Sequence, residues 1–198
     1  GELKNSATIR KAVRDFVVKI PGGRFKSSSE HIFILSIPPH HLYTETAFFP
    51  LMSETELAEA IHLKIETSLP WPINQAYVDW TIMPASANKQ IGVFIAAISR
   101  QVLNEYLKIF LEEKRTVGAC EFHMLSLAKF INPNYFKSFL FALIDEDGIE
   151  FSVFSGGKIL THYLQNVSSN EEAQKILEDK INHLINYIKG SFGVSVER

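Results

Sequence analysis

A mixed α+β / α/β protein is what this sequence predicts, and three observations carry the prediction. Short runs rich in Ile, Val, Phe and Tyr are closed by Pro, Gly or Asn and Asp, the mark of strands. Between them lie stretches whose apolar residues recur three and four apart, the mark of helices. Two of those stretches open with capping boxes, Ser53 with Glu56 and Ser169 with Glu172, in which each side chain satisfies an orphan amide of the other.

The elements follow in order. Ile9, Val13, Phe16, Val17 and Ile20 form one face of an amphipathic helix, with Arg10, Lys11, Arg14 and Lys19 opposite, and Pro21-Gly22-Gly23 ends it. After a Ser27-Ser28-Ser29 linker, His31 to Ile37 reads as a strand closed by Pro38-Pro39, and a second strand spans Leu42 to Phe48. Leu57, Ile61 and Ile65 then share a helical face that ends near Leu69-Pro70. Ala76 to Met83 and Ile91 to Ile98 are expected to pair antiparallel, and Leu103, Tyr106, Leu107, Phe110 and Leu111 mark the next helix, before a strand reaching about Phe122. The block beginning at His31 is thus expected to hold one sheet with helices on one face. A short helix from Met124 to Phe130 precedes Asn132-Pro133-Asn134, a boundary. Strands at Phe139 to Ile144, Ile149 to Phe154 and Lys158 to Leu164 follow, then a helix bearing Ile176, Leu177, Ile181, Leu184, Ile185 and Ile188.

Composition narrows the function. The 198 residues are 46% apolar, enough for a sizeable core. A net charge of -2 supplies no surplus of cations for phosphates, so nucleic acid is not an expected partner. The single cysteine, Cys120, excludes an internal disulfide and is expected to be a small buried hydrophobe. No run approaches the roughly 18 apolar residues of a membrane span. No signal peptide opens the chain, and a cytoplasmic protein is expected. Gly1 has the look of a tag-cleavage scar, and a first element that is a helix suggests a natural chain starting further upstream.

Few residues suggest chemistry. His40 and His41 are adjacent on an extended chain, where side chains point to opposite sides and cannot share one metal ion easily. His62 and Glu66, spaced i, i+4, read as a solvated pair, and His123, His162 and His183 are scattered. Ser155-Gly156-Gly157-Lys158 lacks the spacing of a phosphate-binding loop and reads as a hairpin turn. No metal site and no catalytic constellation is expected. Phe48, Phe49, Leu51 and Met52, with Trp71 beside Pro70 and Pro72, cluster at the two ends of one helix; they are either core or an anchor set for an apolar partner peptide.

An ordered set of segments carries a resemblance. Glu56-Leu57-Ala58-Glu59-Ala60-Ile61, then Glu66 to Leu69-Pro70, then Tyr77-Val78-Asp79 follow one another, and Ile95-Ala96-Ala97-Ile98-Ser99 runs into the helix from Val102 to Leu111. Gly118 to Phe130 closes the set, with Glu121 at an acidic position. The stretch from Leu51 to Ala128 resembles the PilM family of the type IV pilus machinery and its actin-like relatives, FtsA and the cytoplasmic domain of GspL. It departs from that pattern at Glu113-Lys114-Arg115-Thr116, where a short Ala-Gly-Leu is usual, and at Glu121, where the family has Asp.

The resemblance implies a partial actin-like (ribonuclease H-like) core with an inserted small α+β subdomain. On that basis residues 1–30 are a core helix and linker, 31–130 the inserted subdomain, and 131–198 the start of the second core half. It further implies a non-catalytic cytoplasmic scaffold, peripheral to the inner membrane. Its partner would be an inner-membrane pilus assembly or secretion protein, bound through that protein's cytoplasmic N-terminal segment. A homo-oligomer is compatible with this, and no membrane span is expected in the chain itself. The alternatives are a GspL-like domain of type II secretion and a truncated actin-like ATPase. In this superfamily a nucleotide sits between two Asp-Gly loops; the first would lie upstream of Gly1 and the second falls at Asp145, Asp147 and Gly148. Asp147 stands where the family has glycine, so the loop is expected to bind no phosphate, and no cofactor is expected. Read from its own residues, Asp145-Glu146-Asp147-Gly148 is a tight turn between two strands.

Overall fold

The computed structural model describes residues 7–11, 13, 32–83, 89–131, 138–145, 148–167 and 170–193. Of the expected N-terminal helix, residues 7–11 and 13 are helical and the remainder lies outside the described residues, as do the Ser169 half of the second capping box and Asp147. The elements are β1 (Ile32–Ile37), β2 (Leu42–Phe49), α1 (Glu54–Ser68), β3 (Ala76–Ile82), β4 (Ile91–Ser99), α2 (Arg100–Glu112), β5 (Thr116–Phe122), α3 (His123–Ile131), β6 (Phe139–Asp145), β7 (Gly148–Ser155), β8 (Lys158–Gln165) and α4 (Asn170–Phe192).

Each starts or stops where local chemistry dictates. Ser53 and Glu56 cap α1 reciprocally: the Ser53 amide donates to the Glu56 carboxylate at 2.8 Å, and the Glu56 amide reaches the Ser53 hydroxyl at 3.4 Å. The buried stripe Leu57, Ile61 and Ile65 then lies on Phe49, Val93 and Ile95. Burying each such side chain stabilises by about 2 kcal/mol. Ser155-Gly156-Gly157-Lys158 is a hairpin turn with φ of 58° at Gly156 and 75° at Gly157, a double left-handed step that matches strand twist and suits glycine.

Among the described residues the strands form three sheets, in the orders β1-β5, β2-β4-β3 and β6-β7-β8. The expected single sheet in the block from His31 is therefore two. Pro38 and Pro39 end β1 and start a 3-10 turn, and β1 pairs in parallel with β5, from Ile32 opposite Thr116 to Ile37 opposite Phe122. Packing explains the split, because α2 sets Val102, Leu103 and Tyr106 against Ile37 and Ile98, so one helix serves both sheets. A central cluster joins the elements, with Phe94 of β4, Phe122 of β5, Met124 of α3, Phe154 of β7 and Ile188 of α4 all buried together. Thr46 adds a polar tie, its hydroxyl donating to the Leu160 carbonyl at 2.8 Å. On the far side of the third sheet, α4 covers Ile149 and Phe151 with Leu184. Among the described residues no helix is long and apolar enough to cross a membrane.

Candidate functional site

An open groove of about 740 Å³ lies between the face of the β2-β4-β3 sheet and the β5–α3 corner. Its floor is Phe94, Ala96 and Ile98, every second residue of β4, which point to the same face. Ala96, with only a methyl group between two large neighbours, leaves the space. One wall is β3 from Tyr77 to Thr81, and the other is β5 from Ala119 to Phe122, continued by Leu125 and Lys129 of α3. The turn at Gly157 and Lys158 closes one end. Near the other, Tyr77 is held against α2 by its hydroxyl on Asn104, 3.2 Å away, and by the Arg100 guanidinium 4.3 Å above its ring.

Charge in the groove is mostly spoken for. Glu121 pairs with Lys129 and accepts from the Ser126 hydroxyl at 2.7 Å. Burial pushes its carboxyl up, but the Lys129 and Ser126 hydrogen bonds outweigh that and hold it below the usual carboxylate value. Lys158 donates to the Ile82 carbonyl at 2.6 Å, and the Asp79 carboxylate accepts from the Trp80 amide at 2.8 Å. The remaining lining side chains are mostly apolar. Cys120 lies exposed on this wall, a correction to its expected burial: among the described residues β5 pairs only with β1, and its middle, Gly118 to Cys120, is exposed before Phe122 enters the core. Burial of part of the side chain pushes its thiol up, away from a reactive thiolate.

Other expected residues fall elsewhere. Phe48 packs on Phe192 with ring centres 5.5 Å apart, while Phe49 enters the cluster under α1. Met52 packs on that same cluster, Leu51 is exposed and Trp71 is half-buried. None of these five lines the groove. His62 and Glu66 are the expected solvated pair, 3.7 Å apart. Asp145 and Gly148 end a hairpin, paired across β6 and β7, and the Gly148 amide donates to the Asp145 carboxylate at 3.2 Å. That glycine has φ of 139°, and a Cβ there would sit 2.3 Å from the Gln165 carbonyl oxygen.

Sequence reasoning missed a buried polar cluster. His123 and His162, scattered in the sequence, flank Phe122 with edge-on ring contacts at 5.2 and 4.7 Å. His123 Nε2 approaches the Glu150 carboxylate to 2.9 Å as an ion pair, though without the directionality of a hydrogen bond. The Ser152 hydroxyl lies 3.1 Å from His162 Nδ1. The signal was present in Glu150, a charge inside the apolar run Gly148 to Phe154, since a buried carboxylate needs a partner. Ser152 is 0% exposed and Glu150 2%, so no substrate reaches this Ser–His pair; the cluster is structural. Among the described residues no group of His, Cys, Asp and Glu is placed to hold a metal ion.

The architecture is matched by a chain of a PilM–PilN type IV pilus biogenesis complex, with a TM-score of 0.61 over 89% of this chain at 15% identity. This chain shares the fold of part of that chain. It spans about half, 52%, of that pilus-complex chain. A protein of Bacteroides thetaiotaomicron with an actin-like ATPase fold and unknown function also aligns, over 94% of this chain at 15% identity and a TM-score of 0.44. No family model and no curated protein matches the sequence.

Proposed function

We propose that this chain belongs to a non-catalytic, cytoplasmic scaffold of type IV pilus assembly, peripheral to the inner membrane, that binds the cytoplasmic N-terminal segment of an inner-membrane partner. The groove carries the reading. It is long, open and floored by apolar side chains, with its charges already paired, which suits an extended apolar segment better than a small polar substrate. The likeness in fold to a chain of a complex between two pilus biogenesis proteins supports the same direction.

Calorimetric titration with the cytoplasmic N-terminal peptide of the single-span membrane protein encoded beside this chain tests the proposal. Saturable micromolar binding is expected, and Ala119→Phe, which places a ring on the exposed wall, weakens it about tenfold or more. Absence of binding by a folded chain sinks it.

The non-catalytic part has its own test. The Gly148 amide, which a phosphate loop would offer to a nucleotide, is given to Asp145. No saturable, magnesium-dependent thermal shift with ATP is expected, and its appearance overturns this part.

A further inference from the structure

The β3 wall of the groove is an edge strand among the described residues, where β3 pairs only with β4 in the order β2-β4-β3. Its outward groups can be assigned. The Met83 amide donates to the Gly92 carbonyl at 2.9 Å, one step past the pairing of Ile82 with Val93. In an antiparallel ladder hydrogen-bonded pairs alternate, so Thr81, Asp79 and Tyr77 also bond to β4, and Val78, Trp80 and Ile82 turn their N–H and C=O groups outward. Two further contacts agree with this parity: the Ile82 carbonyl is taken by Lys158 and the Trp80 amide by Asp79. Charged side chains covering an edge are a known means of keeping it from pairing indiscriminately. Between these two guards the Trp80 carbonyl and the Ile82 amide, and before them the Val78 amide and carbonyl, take no partner among the described residues.

Resting on the groove's role as the partner site, we propose that the partner segment binds by strand addition to β3 and that Asp79 and Lys158 are guards it must displace. The chemistry selects the occupant. An extended chain presents N–H and C=O groups along one edge at a two-residue repeat, complementary to the outward dipoles at Val78, Trp80 and Ile82, while its alternate side chains line up beside Tyr77, Asp79 and Thr81 on the groove face. A helix satisfies its own backbone groups and offers nothing to this edge. Because each guard occupies one outward group, its removal favours the occupant, whereas an ordinary rim contact would weaken binding when lost.

The test uses the intact chain and the partner-derived peptide, unmodified or carrying one backbone N-methyl group at successive positions. Methylation at alternate positions is expected to weaken binding about tenfold or more, with little effect between them. Asp79→Ala and Lys158→Met, both at exposed positions, are expected to bind the unmodified peptide about three- to tenfold more tightly, the worth of one hydrogen bond not broken. Equal losses at successive positions, or variants that bind no better, overturn strand addition to β3 and leave the scaffold reading standing. Variants that dimerise without gaining peptide affinity assign the edge to a second copy and overturn it too. Failure of the unmodified peptide to bind the wild-type chain overturns the scaffold reading itself.

Discussion

Glu150 and His123 meet 2.9 Å apart beneath the first turn of α3, with the Glu150 side chain 3% exposed and that of His123 15%. The pair ties the groove-forming corner of β5 and α3 to the middle of β7. Such a pair contributes little over well-packed apolar residues, but removing one partner strands the other charge. His123→Ala is expected to destabilise by about 3–5 kcal/mol, while His123→Leu with Glu150→Leu recovers most of that. Urea-denaturation midpoints at constant slope check it, and a single variant within about 1 kcal/mol of wild type refutes it.

Acid should weaken the fold through His162. Burial, with the His123 charge adding to it, lowers its pKa from 6.5 to about 4. The unfolded chain takes up this proton near pH 6.5 and the folded chain only near 4, so between those values the unfolded state binds more protons. The stability involved is complete above pH 6.5 and is lost as pH falls toward 4, by about 3 kcal/mol. Denaturation midpoints across that window should fall for the wild type and less steeply for His162→Gln. Parallel slopes would reject the assignment.

The cap of α1 has a defined worth. Ser53→Ala removes one arm of the reciprocal pair with Glu56 and should cost about 1 kcal/mol, whereas Ser53→Asp keeps an acceptor and should cost little. For a chain of this size the alanine change lowers Tm by about 2–4 °C. Equal melting of the two variants would remove the cap from the account.

At Gly148 both conformation and space forbid a side chain. With φ of 139° and the Gln165 carbonyl oxygen 2.3 Å from an added Cβ, Gly148→Ala should destabilise by about 2 kcal/mol or more. A thermal melt of this variant matching wild type would show that the β6–β7 hairpin can shift to accept it.

Most elements were legible because the chain punctuates itself. Pro38-Pro39 ended β1, the Gly156-Gly157 pair announced a hairpin, and Ser53 with Glu56 fixed the start of α1. These signals are local and act within a few residues. The pairing of β1 with β5 was not legible, since nothing near Ile32 names Thr116 as its partner. In the sequence Ala96 is only part of a family-like string, and its consequence, a hollow on the sheet, depends on β5 and α3 arriving opposite. Cys120 was misjudged for the same reason: its exposure follows from how many neighbours β5 has, which is decided far away along the chain.

The parallel pairing of β1 with β5 also constrains the order of folding. The intervening β2, β3 and β4 pair among themselves and α1 packs on them, so that unit can condense without β5. Joining Ile32 to Thr116 must close a long loop, whose entropic cost falls steeply once the intervening unit is compact. The groove, whose walls are β3 of that unit and β5, is complete only once this loop has closed.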